Sequence, residues 1–280
     1  MHSPGYYRIV GSCNGLICLS NDLYGNESYT TVVWNPAIRK TLHVPDPPSV
    51  LPNRLKYGAV GAVVGFGFNS WTNDFKIIKM VHYRDSNLNI ILPAEVEVYE
   101  IKTGLWRGSR AVVPPYDMTP KSCSDVRKCV FVKGASHWLA IEAGEEQDSY
   151  LILSFDMMLP GTVSNGSRLK MSISLFGESL SLFHKRMDFP FPGWCMWVMK
   201  DYGIVESWMN LFTFKEPIER VLGFRGTGEV VVTCFHHKLA SFDTASKKET
   251  DLGIRWSRKD LLYLDTYMES LVLLDQGLFC

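Results

Sequence analysis

Neither sign of charge is in excess in this chain: 29 Lys and Arg balance 29 Asp and Glu over 280 residues. Without a basic surplus the phosphate-driven route to nucleic acid is missing, so no nucleic-acid partner is expected. Long apolar runs are absent too. No stretch approaches the roughly 18 apolar residues that cross a bilayer, and residues 1–10 hold no apolar core fit for a signal peptide. No membrane partner is expected either. The cysteines Cys13, Cys18, Cys123, Cys129, Cys195, Cys234 and Cys280 are odd in number, scattered, and never spaced as Cys-x-x-Cys. That usage fits reduced thiols and a cytoplasmic or nuclear location, not a disulfide framework.

Catalytic constellations are equally scarce. Gly-x-Ser-x-Gly does not occur, and its nearest relative, Gly177 to Ser181, reads as a hairpin turn instead of a strand-to-helix elbow. Gly58, Gly61, Gly65 and Gly67 invite a phosphate-loop reading, but they form neither Gly-x-Gly-x-x-Gly nor Gly-Lys-Ser/Thr and no helix follows. They read as close-packed strand glycines. The seven histidines contain no His-x-x-x-His pair, and His236 and His237, being adjacent, would face opposite sides of a strand. No catalytic residue, metal site or cofactor is expected.

What is present is a set of short strands separated by turn residues. Tyr7–Val10 and Leu16–Leu19 flank Asn14-Gly15, a strong hairpin signal because both residues tolerate positive φ. The stretch from Trp197 to Phe214 reads as a second hairpin type, with turn chemistry at Lys200–Gly203 and a returning strand from Ile204. Related aromatic hairpins begin at Val33-Trp34, Val98-Tyr99 and Ser241-Phe242, with a partial copy at Ser154-Phe155. Markers at residues 34, 99, 155, 199 and 242 lie 65, 56, 44 and 43 residues apart. A repeat of roughly 40 to 50 residues, with two hairpins per copy, is the trace of a β-propeller blade.

The expected fold is therefore all-β: one domain over residues 1–280, a propeller-like ring of about six short antiparallel sheets. The last strand, Met268–Leu274, is expected to close the ring by joining the sheet that holds Tyr7–Leu19. Ser257–Leu264 is the one segment expected to form a short helix. Trp34, Trp106, Trp138, Trp197 and Trp208 fall on strands and should pack between sheets. Trp71, Tyr116, Phe189, Phe191 and Trp194 fall in loops, and loop aromatics are the candidate anchors for a binding partner. The Phe189-Pro190-Phe191-Pro192-Gly193-Trp194 cluster, stiffened by two prolines, is the preferred one.

Gly11–Leu16, Val33–Pro36, Gly65–Phe68, Asn73–Ile77, Val96–Tyr99, Trp197–Gly203 with Glu206–Trp208, and Tyr267 with Glu269–Val272 carry a family likeness. In this order, over nearly the whole chain, they resemble the associated interaction domain of plant F-box proteins, of the F-box/kelch-repeat and S-locus F-box types. Double glycines of the kelch type and Trp-Asp dipeptides are both absent. The resemblance implies a non-catalytic receptor of an SCF-type ubiquitin ligase, in which an F-box binds a Skp-type adaptor, and through it the cullin, while this domain holds a protein target. The first hairpin begins within ten residues, so no F-box is expected within this chain. The alternatives are a carbohydrate-binding module, or a truncated decoy that holds the target without recruiting the ligase.

Overall fold

Asn14 and Gly15 do adopt positive φ, 44° and 80°, and they join β1 (Arg8–Cys13) to β2 (Leu16–Ser20). β3 (Thr31–Asn35) and β4 (Lys40–Val44) complete the first sheet, in the order β1-β2-β3-β4. The computed structural model describes residues 7–22, 30–48, 58–85, 90–109, 113, 129–142, 149–156, 162–165, 171–186, 193–214, 218–234, 238–255 and 262–273.

The second sheet is built from β5 (Gly58–Asn69), β6 (Asp74–Asp85), β8 (Glu95–Glu100) and β9 (Leu105–Gly108), with the two-residue β7 (Ile90–Ile91) pairing off β6. β10 (Val130–Val132), β11 (Ala135–Glu142), β12 (Ser149–Asp156) and β13 (Thr162–Asn165) make the third. β14 (Met171–Phe176), β15 (Ser179–Arg186), β16 (Gly193–Met199) and β17 (Trp208–Phe214) make the fourth. β18 (Ile218–Phe224), β19 (Val230–Cys234), β20 (Lys238–Asp243) and β21 (Lys248–Arg255) make the fifth.

Every pairing is antiparallel and each sheet is a meander of two hairpins, as the alternation of apolar and aromatic hairpins implies. The sheets form a five-bladed β-propeller, one fewer than the spacing suggests. The long intervals of 65 and 56 residues hold the twelve-residue strands β5 and β6 and the link between β9 and β10, with no sixth sheet among the described residues.

Aliphatic and aromatic residues at alternate strand positions fill the space between sheets. β1 packs on β5, β5 on β11, β10 on β14 and β14 on β18. The largest core joins the first three sheets through Val10, Leu16, Phe66, Ile78, Met80 and Trp138, and a second joins the fourth and fifth through Phe183, Phe214, Val230 and Phe242. Gly65 shows why the strand glycines are there. A Cβ on it would fall inside the Trp138 indole, whose Nε1 donates to Val64 O at 3.2 Å. Of the five strand tryptophans, Trp138 is fully buried and Trp106, Trp197 and Trp208 are half-buried, but Trp34 is exposed on the outer side of its sheet.

The ring closes differently from the strand exchange expected of Met268–Leu274. Among the described residues the first sheet consists of β1–β4, and 262–273 form no strand; Leu274 lies outside the described residues. Leu262–Leu264 are not helical either, and 256–261 lie outside the described residues. Residues 262–273 instead cross from the fifth sheet to the first. Leu262 and Leu264 pack on buried Leu222, Val231 and Leu239, and Arg220 donates to Leu262 O at 3.3 Å. Asp265 then accepts from Ser12 Oγ at 2.8 Å, and Tyr267 OH accepts from Ala37 N at 3.2 Å.

Buried Asn35 holds the far end: its Nδ2 donates to both Ser270 O and Val272 O at 2.8 Å, while its Oδ1 caps Ala37 N at 3.0 Å. With Ile38 N also donating to Oδ1 at 3.4 Å, the proline after Asn35 and this four-way bonding account for the Trp-Asn-Pro signature. A side-chain amide, not a strand ladder, ties the ends together. Replacing it by Asn35→Ala removes two donors from partly buried carbonyl bonds at about 1 kcal/mol each. The expected outcome is a loss of about 2–3 kcal/mol in denaturant unfolding, with faster amide exchange confined at first to residues 262–273.

Candidate protein-binding rim

In a meander of four antiparallel strands the first and third turns fall on one rim, and the second turn and the inter-sheet link fall on the other. The first rim therefore collects the tight turns: Asn14–Gly15, Pro36–Arg39, Ser70–Asn73, Ile101–Gly104, Lys133–Gly134, Gly177–Glu178, Lys200–Ser207, Arg225–Glu229 and Thr244–Lys247. The closing segment lies on this same rim, against Ser12, Gly15, Asn35 and Ala37.

Trp71 stands here, 73% exposed, and the turn beneath it is fixed. Asn69 Oδ1 accepts from Trp71 N at 2.9 Å and Thr72 N at 3.0 Å, and Lys102 Nζ donates to Thr72 O at 3.0 Å. A large aromatic on a pre-ordered turn loses little entropy when it docks.

The turn after β16 is a second projection. Ser207 Oγ bonds Ile204 O at 2.6 Å and Asp201 O at 2.9 Å, and a short 3-10 turn spans Val205–Ser207. Strand β17 thus starts at Trp208 and not at Ile204, leaving Ile204 and Val205 about half exposed on a braced loop. Tyr202 pins that loop sideways to the third sheet: its OH lies 2.9 Å from His137 Nε2, with Ser154 Oγ 3.3 Å from the same nitrogen. His137 Nδ1 faces Val130 O at 3.1 Å, so the network assigns the proton to Nδ1, which donates to that carbonyl, and makes Nε2 the acceptor.

A serine beside a histidine suggests a nucleophile and its base, but the surroundings forbid the role. Burial pushes the His137 pKa down to about 4, which makes a weak base. A backbone carbonyl stands where an orienting carboxylate would be needed, and Nε2 is shared with Tyr202. The network positions a loop. Burial likewise pushes the Cys13 thiol up to about 12 and the Cys18 and Cys129 thiols upward, so none of them is a ready nucleophile. Among the described residues no cluster of three or more His, Cys, Asp or Glu could hold a metal, and no helix is long and apolar enough to cross a membrane.

Of the five anchors drawn from the sequence, Trp71 and Trp194 lie among the described residues, and they differ in exposure. Trp194 is a correction: it is the second residue of β16, 4% exposed, and its Nε1 donates to Ile218 O at 3.0 Å, locking the fourth sheet to the fifth. Tyr116, Phe189 and Phe191 lie outside the described residues. Trp71 stands on the rim of tight turns. Its companions there are Tyr202, Ile204 and Val205, together with Tyr267, Met268 and Leu271 of the closing segment, all exposed. The signal for Ile204-Val205 was an apolar pair placed directly after a Gly turn, which reads as the start of a strand.

The sequence profile of the F-box associated beta propeller domain matches residues 5–272. This chain belongs to that family. It is 25% identical over 283 aligned positions to F-box protein CPR1 of Arabidopsis thaliana, covering 91% of this chain and 65% of that protein. It is 26% identical over 219 positions to F-box/kelch-repeat protein At3g23880 of the same plant, covering 74% of this chain and 53% of that one. The F-box associated domain described here thus spans about half to two thirds of the length of these relatives. Among solved structures, TolB of Acinetobacter baumannii aligns with a TM-score of 0.45 at 13% identity, over 87% of this chain and 54% of that one.

Proposed function

We propose that this domain is the non-catalytic target-recognition module of an SCF-type ubiquitin ligase receptor, and that it grips a protein target with the rim of tight turns. The observation that carries the reading is the set of braced apolar projections on that rim, Trp71 above all, in a family whose relatives are F-box proteins. Exposed aromatics on rigid turns behave as binding hot spots, whereas a strand-rich core between sheets serves stability. Contact with a Skp-type adaptor and a cullin is assigned to an F-box outside these 280 residues, which would place the bound target within reach of the ligase.

The test uses proximity labelling in plant cells with the domain fused to a labelling enzyme, followed by binding of each recovered protein in purified form. Trp71→Ala and Ile204→Asp are expected to weaken the true target by about tenfold or more, the hot-spot range, while thermal unfolding stays within about 2 °C, as for exposed positions. Retention of every recovered protein by both variants, or selective binding to glycans on an array, overturns the reading.

A further inference from the structure

The outer strand of the fourth sheet lacks the charges that three of its four counterparts carry. β17 ends its sheet, so no described strand pairs with its outer edge. Natural sheets guard such edges with charges, since unpaired N–H and C=O groups template further pairing. β21 carries Lys248, Glu249, Asp251 and Arg255, β4 carries Lys40 and His43, and β9 carries Arg107, while β13, Thr-Val-Ser-Asn, is uncharged but only four residues long and mostly polar. β17 reads Trp-Met-Asn-Leu-Phe-Thr-Phe and carries no charge, with Met209 39% and Leu211 46% exposed.

Beside that edge lies an apolar cleft between the fourth and fifth sheets, with a volume of about 230 Å³. Phe176, Met196 and Phe224 line it from the body of the two sheets, Leu211 and Phe212 from β17, and the turn after β20 from the far side. Adjacent strand residues ordinarily point to opposite faces. Here the register with β16 pairs Met196 with Phe212 but Trp197 with Asn210, so Leu211 is the extra residue of a β-bulge. The bulge re-aims it, which explains how two consecutive side chains reach one cleft.

We propose that the β17 edge and this cleft form a docking site for a short extended segment of a partner protein, which adds a strand beside Trp208–Phe214 and inserts one apolar side chain into the cleft. The volume supports that occupant: drug-sized ligands take roughly 300–1,000 Å³, whereas 230 Å³ suits one large side chain. Strand addition draws affinity from main-chain hydrogen bonds and specificity from such side-chain pockets. The inference rests on the reading of the domain as a protein-binding module; its cleft borders the rim at Gly228, Thr244 and Ala245 but uses none of the projections Trp71, Ile204 and Val205.

A phage-displayed library of random linear peptides, selected against the purified chain, supplies the probe. Enriched peptides are expected to share one apolar residue, to slow amide exchange within 208–214, and to lose affinity about tenfold or more with Leu211→Asp. Ile204→Asp on the rim should leave that binding unchanged. N-methylation at alternate peptide positions should abolish it, because it removes main-chain donors. The site is overturned by the absence of enriched peptides, by protection elsewhere, by unchanged affinity for Leu211→Asp, or by protection of 208–214 that grows with protein concentration alone. Loss of the cellular target in the rim variants with none in Leu211→Asp would sink the edge site while leaving target recognition by the rim intact.

Discussion

Trp138→Ala is expected to cost about 3–5 kcal/mol, the range for deleting a fully buried aromatic, and to bring global unfolding to markedly lower denaturant. The indole is fully buried in the core shared by the first three sheets, and its Nε1 satisfies Val64 O. Deletion therefore leaves both a cavity and an unpaired carbonyl. The glycine beneath it supplies the control. Gly65→Ala alone should cost about 1–3 kcal/mol by overpacking, because its new methyl would meet the ring face. Combined with Trp138→Phe, whose smaller ring withdraws from Gly65, the two losses should fall short of their sum, a coupling that a double-mutant cycle in urea would read directly. Strict additivity would show that the strand glycine is there for some reason other than the indole.

That pair also shows what a sequence can and cannot express. A run of small residues at 58–67 with no helix behind it already excluded a phosphate loop and pointed to close packing, though not to the partner ring, which lies more than seventy residues along the chain. Turn chemistry was readable where φ itself demands it, as at Asn14 and Gly15, and so was the two-hairpin blade. Closure was harder. Met268–Val272 has the apolar content of a strand, yet its carbonyls bond to the Asn35 amide, a long-range choice that alternation does not encode. Trp194 misled for a related reason: two prolines and a glycine before it suggest a loop, but it begins the apolar run Trp194–Val198, and β16 already starts at Gly193. The rim itself emerges only once the meander fixes which turns face the same way. Trp71 and Ile204, far apart in sequence, become companions through topology alone.

His137 gives the second large effect, and its sign follows from burial. In the folded chain its pKa is pushed down to about 4, whereas an unfolded histidine titrates near 6.5. Above about pH 6.5 both states are neutral there, and the full stability is present. As pH falls from about 6.5 toward about 4 the unfolded chain takes up a proton that the folded chain refuses, so stability is lost across that window by about 3 kcal/mol. Protonation at Nε2 would also place a donor against the Tyr202 and Ser154 hydroxyls, which would have to turn round to accept. Urea unfolding of the wild type at steps between pH 7 and pH 4 should show this slope, and His137→Gln should flatten it, whatever its own cost at neutral pH. Because Tyr202 anchors the braced loop through the same nitrogen, exchange at 200–207 should rise in the wild type before global unfolding begins. An unchanged pH slope in His137→Gln would mean that the acid sensitivity resides in the carboxylates, and that the loop is held by Ser207 and its neighbours without the histidine.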